Sequence, residues 1–254
     1  MSSSLPTDKS RAYSSSSSFN LAVLISGSGT NLQALIDACG QSPPPDSSSS
    51  ASNNRSQPLR TLPNAKIVHV VSNRREAQGI SRAQMAGIPT SYHNLVSYKK
   101  NHPSTEAGVQ KAREQYDADL AQIILTHVPC PDLVVCAGWM HILSDPFITA
   151  LQKASVPIIN LHPALPGQFN GANAISRAYE AFQRGEITAT GIMVHHVISE
   201  VDMGEPVIVK EVEFRPGETQ SELEARLHEV EWKAIVEGTG LVLADLEQKR
   251  RSET

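Results

Sequence analysis

The chain has 254 residues, 40% of them apolar, with a formal net charge of −4. That length suits one large α/β domain or two small ones. Acidic and basic residues are mixed throughout, which argues against a nucleic-acid-binding surface. No apolar run approaches the roughly 20 residues that a membrane helix needs. Cys39, Cys130 and Cys136 show no C-x-x-C spacing, so neither a disulfide framework nor a cysteine metal site is expected.

Residues 1–18 are Ser-rich and of low complexity, and read as a disordered tail. They lack the apolar core of a secretory signal, and Arg11 is their only arginine, so a cytoplasmic location is expected. The domain is expected to begin at Phe19 and run to 247. Within it, residues 41–60 form a second low-complexity stretch, read as a surface loop insertion that costs little closure entropy. The Lys-Arg-Arg run at 249–251 reads as a solvated terminus.

Strands are predicted at 20–26, 66–72, 131–137, 156–160, 189–198 and 206–213. The early ones are apolar throughout, as in a parallel sheet covered on both faces. Helices are predicted at 30–39, 76–86, 104–127, 172–184 and 219–246. The alternation implies right-handed βαβ crossovers in a doubly wound, Rossmann-like α/β fold. Only residues 199–205 separate the last two strands, so these should be antiparallel neighbours in a mixed, mostly parallel sheet.

After the first strand comes Ser26-Gly27-Ser28-Gly29-Thr30-Asn31. Glycines allow a ligand close to the backbone, and a helix start offers free N–H groups to a phosphate. The plain alternative is a β–α turn capped by Thr30 or Asn31. The loop lacks the third glycine of a dinucleotide motif and the Gly-Lys-Ser/Thr of a triphosphate loop, so a small phosphate ester fits it better.

The strand at 156–160 ends in Asn160-Leu161-His162-Pro163. Open α/β sheets bind ligands at the carboxyl ends of their strands. Alternation puts Asn160 and His162 on one side and Leu161 on the other. A carboxamide can donate to a developing oxyanion and an imidazole can move a proton, which suits acyl transfer. A capped strand end with a structural histidine is the alternative. His69 and His228 read as structural. His195 and His196 are adjacent on a strand, so they face opposite sides and form no metal pair. Asp202 follows in an acidic loop. It could orient His162 and raise its pKa, or it could belong to an ordinary surface turn.

Four stretches, LISGSGTNLQAL (24–35), VVCAGWMHILS (134–144), INLHPALPG (159–167) and GIMVHHVISEVDMGEPV (191–207), together resemble the folate-dependent formyltransferases in their single-domain form. The resemblance runs from residue 20 to about 238. It implies the formyltransferase fold, and transfer of a formyl group from 10-formyltetrahydrofolate to the amine of 5-phosphoribosylglycinamide in purine (IMP) synthesis. Asn160, His162 and Asp202 would form a catalytic trio. Gly29, Thr30, Asn31 and Glu231 would hold the ribonucleotide. Arg113, Met140, His141, Ile142, Leu143, Asn160, Val197 and Asp202 would line the folate site. Ala164 and His141 stand where the family often has Ser and Arg. The resemblance implies small-molecule partners, a monomer or homodimer, and no metal, nucleic acid or membrane. A formyltransferase for another amine, or a non-catalytic phosphosugar-binding module, is the competing expectation.

Overall fold

The computed structural model describes residues 18–42 and 61–253. The Ser-rich segment 1–17 and most of the 41–60 insertion therefore lie outside the described residues. The chain begins β1 (Phe19–Ile25), α1 (Thr30–Ala38), β2 (Ala65–Ser72), α2 (Gln78–Met85), β3 (Thr90–Tyr92). It continues α3 (Leu95–Lys100), α4 (Glu106–Leu125), β4 (Leu133–Cys136), α5 (Asp145–Lys153), β5 (Ile158–His162). It closes with α6 (Ala174–Gln183), β6 (Ala189–His196), β7 (Pro206–Glu213) and α7 (Gln220–Ser252).

The strands form one seven-stranded sheet in the order β3-β2-β1-β4-β5-β6-β7. The first five strands of that order pair in parallel, and β5–β6 and β6–β7 are antiparallel. The predicted β6–β7 pairing is thus observed. The expected crossover across α6 is not, because β6 runs back against β5. A reversed strand can enter beside the end of the strand before it, so α6 need not carry the chain across the sheet.

Both faces are covered. One core cluster joins β1, α1, α2, α6 and α7 through Leu32, Leu35, Ala83, Ala178, Leu227 and Ile235, among others. The other packs Tyr116, Leu120 and Ile124 of α4 with Phe147 and Leu151 of α5 against the opposite face. This explains the unbroken apolar runs of β1 and β4. Helix starts follow local chemistry. Thr105 Oγ1 accepts the Gly108 N–H at α4, and Thr219 and Glu222 form a reciprocal capping box at α7.

Strand order reverses between β1 and β4, since the chain first builds outward to β3 and then returns to the other side of β1. Such a switch point opens a crevice at the carboxyl ends of the two strands. The glycine loop follows β1 there, and residues 137–143 follow β4.

Candidate active site

A cavity of about 470 Å³ lies at that crevice. Its walls come from α1, the 138–143 segment, β5, the start of α6, the 197–202 loop and α7.

Asn160 pairs across β4 with Cys136, the last residue of that strand, so it sits level with the mouth of the parallel sheet. His162 lies two residues on, and both side chains line the cavity. Leu161, between them, belongs to the core cluster beneath α7 and also contributes to the cavity lining. Asp202 reaches the same place from the loop after β6, with a left-handed backbone at φ 57°. Its Oδ2 lies 3.3 Å from His162 Nδ1 and accepts the Gly171 N–H at 2.7 Å. Its Oδ1 lies 3.4 Å from Asn160 Nδ2. The three predicted residues, distant in sequence, therefore meet.

A fourth residue stands with them. His195 pairs with Asn160 across β5–β6 and is buried. Its Nδ1 lies 2.9 Å from the His196 carbonyl, which makes that nitrogen the donor. Its Nε2 faces Asn160 Nδ2 at 3.3 Å and Asp202 Oδ1 at 3.5 Å. In the sequence His195 stands out only as the neighbour of His196, and it is the reversed direction of β6 that brings it to Asn160. His228, read as structural, also lines the cavity. No sequence signal distinguished it from other helical histidines.

The electrostatics correct one expectation. Burial is the largest influence on His162 and lowers its pKa below the ordinary 6.5, with help from His195. Asp202 and the backbone at Phe169 and Gln168 pull upward but do not win. The free imidazole is therefore neutral at physiological pH. Its Nε2 has no hydrogen-bond partner among the described residues. Burial also opposes the charge on Asp202. The nearby His195 ring, the Gly171 N–H bond and the His162 ring outweigh it and hold the carboxyl below its usual range.

Elsewhere in the cavity lining, Asn31 Nδ2 donates to Glu231 Oε2 at 3.1 Å, and both side chains are buried. Burial raises the Glu231 pKa against the opposing Asn31 bond. The cap of α1 is Gly29, not Thr30 or Asn31, and it uses no side-chain bond. Its φ of 71° suits glycine, and a Cβ there would lie 2.5 Å from Gly79 Cα. Of the three predicted loop residues, Asn31 lines the cavity while Gly29 and Thr30 stand outside its lining.

Met140, His141, Ile142, Leu143 and Val197 all line the cavity. Met140 is 64% exposed and Ile142 50%, and the exposed Ile198 and Val201 line the same cavity. Such an apolar rim suits a flat ring system. His141 Nε2 lies 2.8 Å from Asp117 Oδ1, and Ser144 donates through Oγ and N–H to Oδ2 of the same buried carboxylate, which ties this wall to α4. Arg113 stands behind that wall, its Nη2 3.5 Å from the Ile142 carbonyl, and is not part of the lining. Ala164 is fully buried.

Among the described residues no group of three or more His, Cys, Asp or Glu side chains could hold a metal ion. No helix among them is long and apolar enough to cross a membrane.

Residues 19–239 match the family model described as formyl transferase. A phosphoribosylglycinamide formyltransferase of Schizosaccharomyces pombe is 46% identical over 226 residues, covering 89% of this chain and 98% of that protein. Its Saccharomyces cerevisiae counterpart is 43% identical over 230 residues, with coverage of 89% and 98%. The crystal structure of glycinamide ribonucleotide transformylase 1 from Symbiobacterium toebii superposes with a TM-score of 0.67 at 27% identity, covering 91% of each chain. A match across nearly the whole described domain, in sequence and in fold, shows that this chain belongs to the formyl transferase family.

Proposed function

We propose that this enzyme transfers the formyl group of 10-formyltetrahydrofolate to the amine of 5-phosphoribosylglycinamide, a step in purine synthesis. The observation that carries the reading is the meeting of Asn160, His162 and Asp202 in one cavity, whose lining also holds apolar rim residues and the polar Asn31–Glu231 pair. The names of the yeast relatives supply the acceptor.

In this reading the ribonucleotide lies toward Asn31, Glu231 and the start of α1, where Gly29 and Thr30 leave backbone N–H groups for its phosphate. The folate ring lies within the apolar rim, and Arg113 supports the Ile142 segment of that rim. The substrate amine attacks the formyl carbon. The Asn160 amide donates to the oxyanion of the tetrahedral intermediate. Neutral His162 takes the proton from the attacking amine and delivers it to the departing folate nitrogen. Asp202 orients the imidazole and stabilises it while it carries that proton. Holding both substrates side by side supplies much of the acceleration. Both substrates are small molecules. A cytoplasmic monomer or homodimer, using no metal and binding neither nucleic acid nor membrane, completes the reading.

The test is a spectrophotometric assay of tetrahydrofolate release with 5-phosphoribosylglycinamide as acceptor, run beside other amines. Release with that acceptor alone is expected. Faster turnover of a different amine would sink the assignment of the acceptor. Ligand uptake with no turnover of any amine would leave a binding module in place of the enzyme.

A further inference from the structure

The bonds around Asp202 lead back to one side chain outside the trio. Asp202 takes its shortest bond from the Gly171 N–H, and His162 lies against the backbone of Gln168 and Phe169. These residues belong to the connection between β5 and α6. Its backbone is left-handed at Phe169 (φ 49°) and Asn173 (φ 57°), besides Gly167 and Gly171. Non-glycine residues hold that conformation only where their surroundings over-determine it.

Arg177, in the first turn of α6, supplies the restraint. Its Nη2 donates to the carbonyl of Phe169 and, at 2.7 Å, to that of Asn170. The guanidinium also stands over the Phe169 ring, 5.9 Å from its centroid. Asn170 passes the restraint on. Its Nδ2 donates to the Val201 carbonyl at 3.3 Å and to Met203 Sδ at 3.2 Å, on either side of Asp202. Arg177 does not line the cavity itself.

We propose that Arg177 is a positioning residue: by binding the carbonyls of Phe169 and Asn170, it fixes the loop that aims the Gly171 N–H at Asp202 and so sets that carboxylate against His162. The inference rests on the reading of Asn160, His162 and Asp202 as the working trio. A small misplacement of a reacting group costs up to about a hundredfold in rate, so an anchor of this kind matters although it touches no substrate.

Arg177→Met keeps an apolar stem beside Phe169 and removes every donor. Arg177→Lys keeps a charged donor. With Arg177→Met, kcat should fall by about tenfold or more while both KM values stay within about twofold. Arg177→Lys should recover most of the loss. Combined with Asp202→Asn, Arg177→Met should add no further loss, since the carboxylate it serves is gone. Normal kcat in Arg177→Met beside an impaired Asp202→Asn would overturn the proposal and leave the trio standing. Normal kcat in Asp202→Asn would remove the trio, and the proposal with it. Equal losses in the Met and Lys variants, with lowered melting temperatures, would mark a packing residue and overturn the proposal.

Discussion

His162 is buried, and its charge state decides how the reaction can run. Burial and the neighbouring His195 push its pKa down more than Asp202 lifts it. A neutral imidazole accepts protons, so activity should rise with pH through a midpoint below the ordinary 6.5. It should fall only when acid protonates the base. A kcat/KM profile with its acid midpoint at or above 6.5 would contradict this. His162→Ala and Asp202→Asn should each lower kcat by at least about a hundredfold, the scale of general acid–base help. Circular dichroism must show both variants folded for the result to count. Asn31 is a different case, because its amide is spent on Glu231 and not on capping α1. Asn31→Ala should raise KM for the ribonucleotide more than KM for the folate. An unchanged ribonucleotide KM would remove Asn31 from that site.

Whole elements depend on two close approaches of backbone. At the start of α1, Gly29→Ala would combine a left-handed φ with a Cβ 2.5 Å from Gly79 Cα. A loss of about 1–3 kcal/mol or more is expected, read from the denaturant midpoint. In the hairpin between β6 and β7, a Cβ on Gly204 would meet the His196 carbonyl at 1.6 Å. That glycine lets the aspartate loop fold back at the shifted register between Val194 and His195. The central strands, the long helices and the β6–β7 hairpin were legible in the sequence, because their apolar runs and short connections admit few alternatives. Three elements were not. β3 has three residues and α3 has six, too short to show a period. α5 begins at Asp145-Pro146, an ordinary start signal, yet its register is set by burying Phe147, Ile148 and Leu151 beside α4. The trio's residues were visible one by one. His195 was not, because its role depends on a strand direction that no local pattern encodes.

Across the whole molecule, buried histidines link stability to acid. His69 sits in β2, stacked on His127 and bonded to Ser91, and burial lowers its pKa from 6.5 to about 4. Between those values the unfolded chain binds a proton that the folded chain refuses. Stability is therefore intact above 6.5 and is lost as pH falls toward 4, with a slope of about 1.4 kcal/mol per pH unit per group. Urea midpoints should fall across this window, and less steeply in His69→Gln. A flat response would show that the site is wetter than its burial indicates. The seven-stranded sheet has a further consequence at its two edges. β3 ends it with only three residues, too few to template another chain. β7 ends it with eight, and there Pro206 withholds a donor while exposed Glu211 and Glu213 and the part-buried Lys210 line the rim. One border is blunted by brevity and the other by charge. Replacing Lys210 and Glu211 with valine would leave a long apolar border, and the protein should then self-associate at concentrations where the native chain stays dispersed.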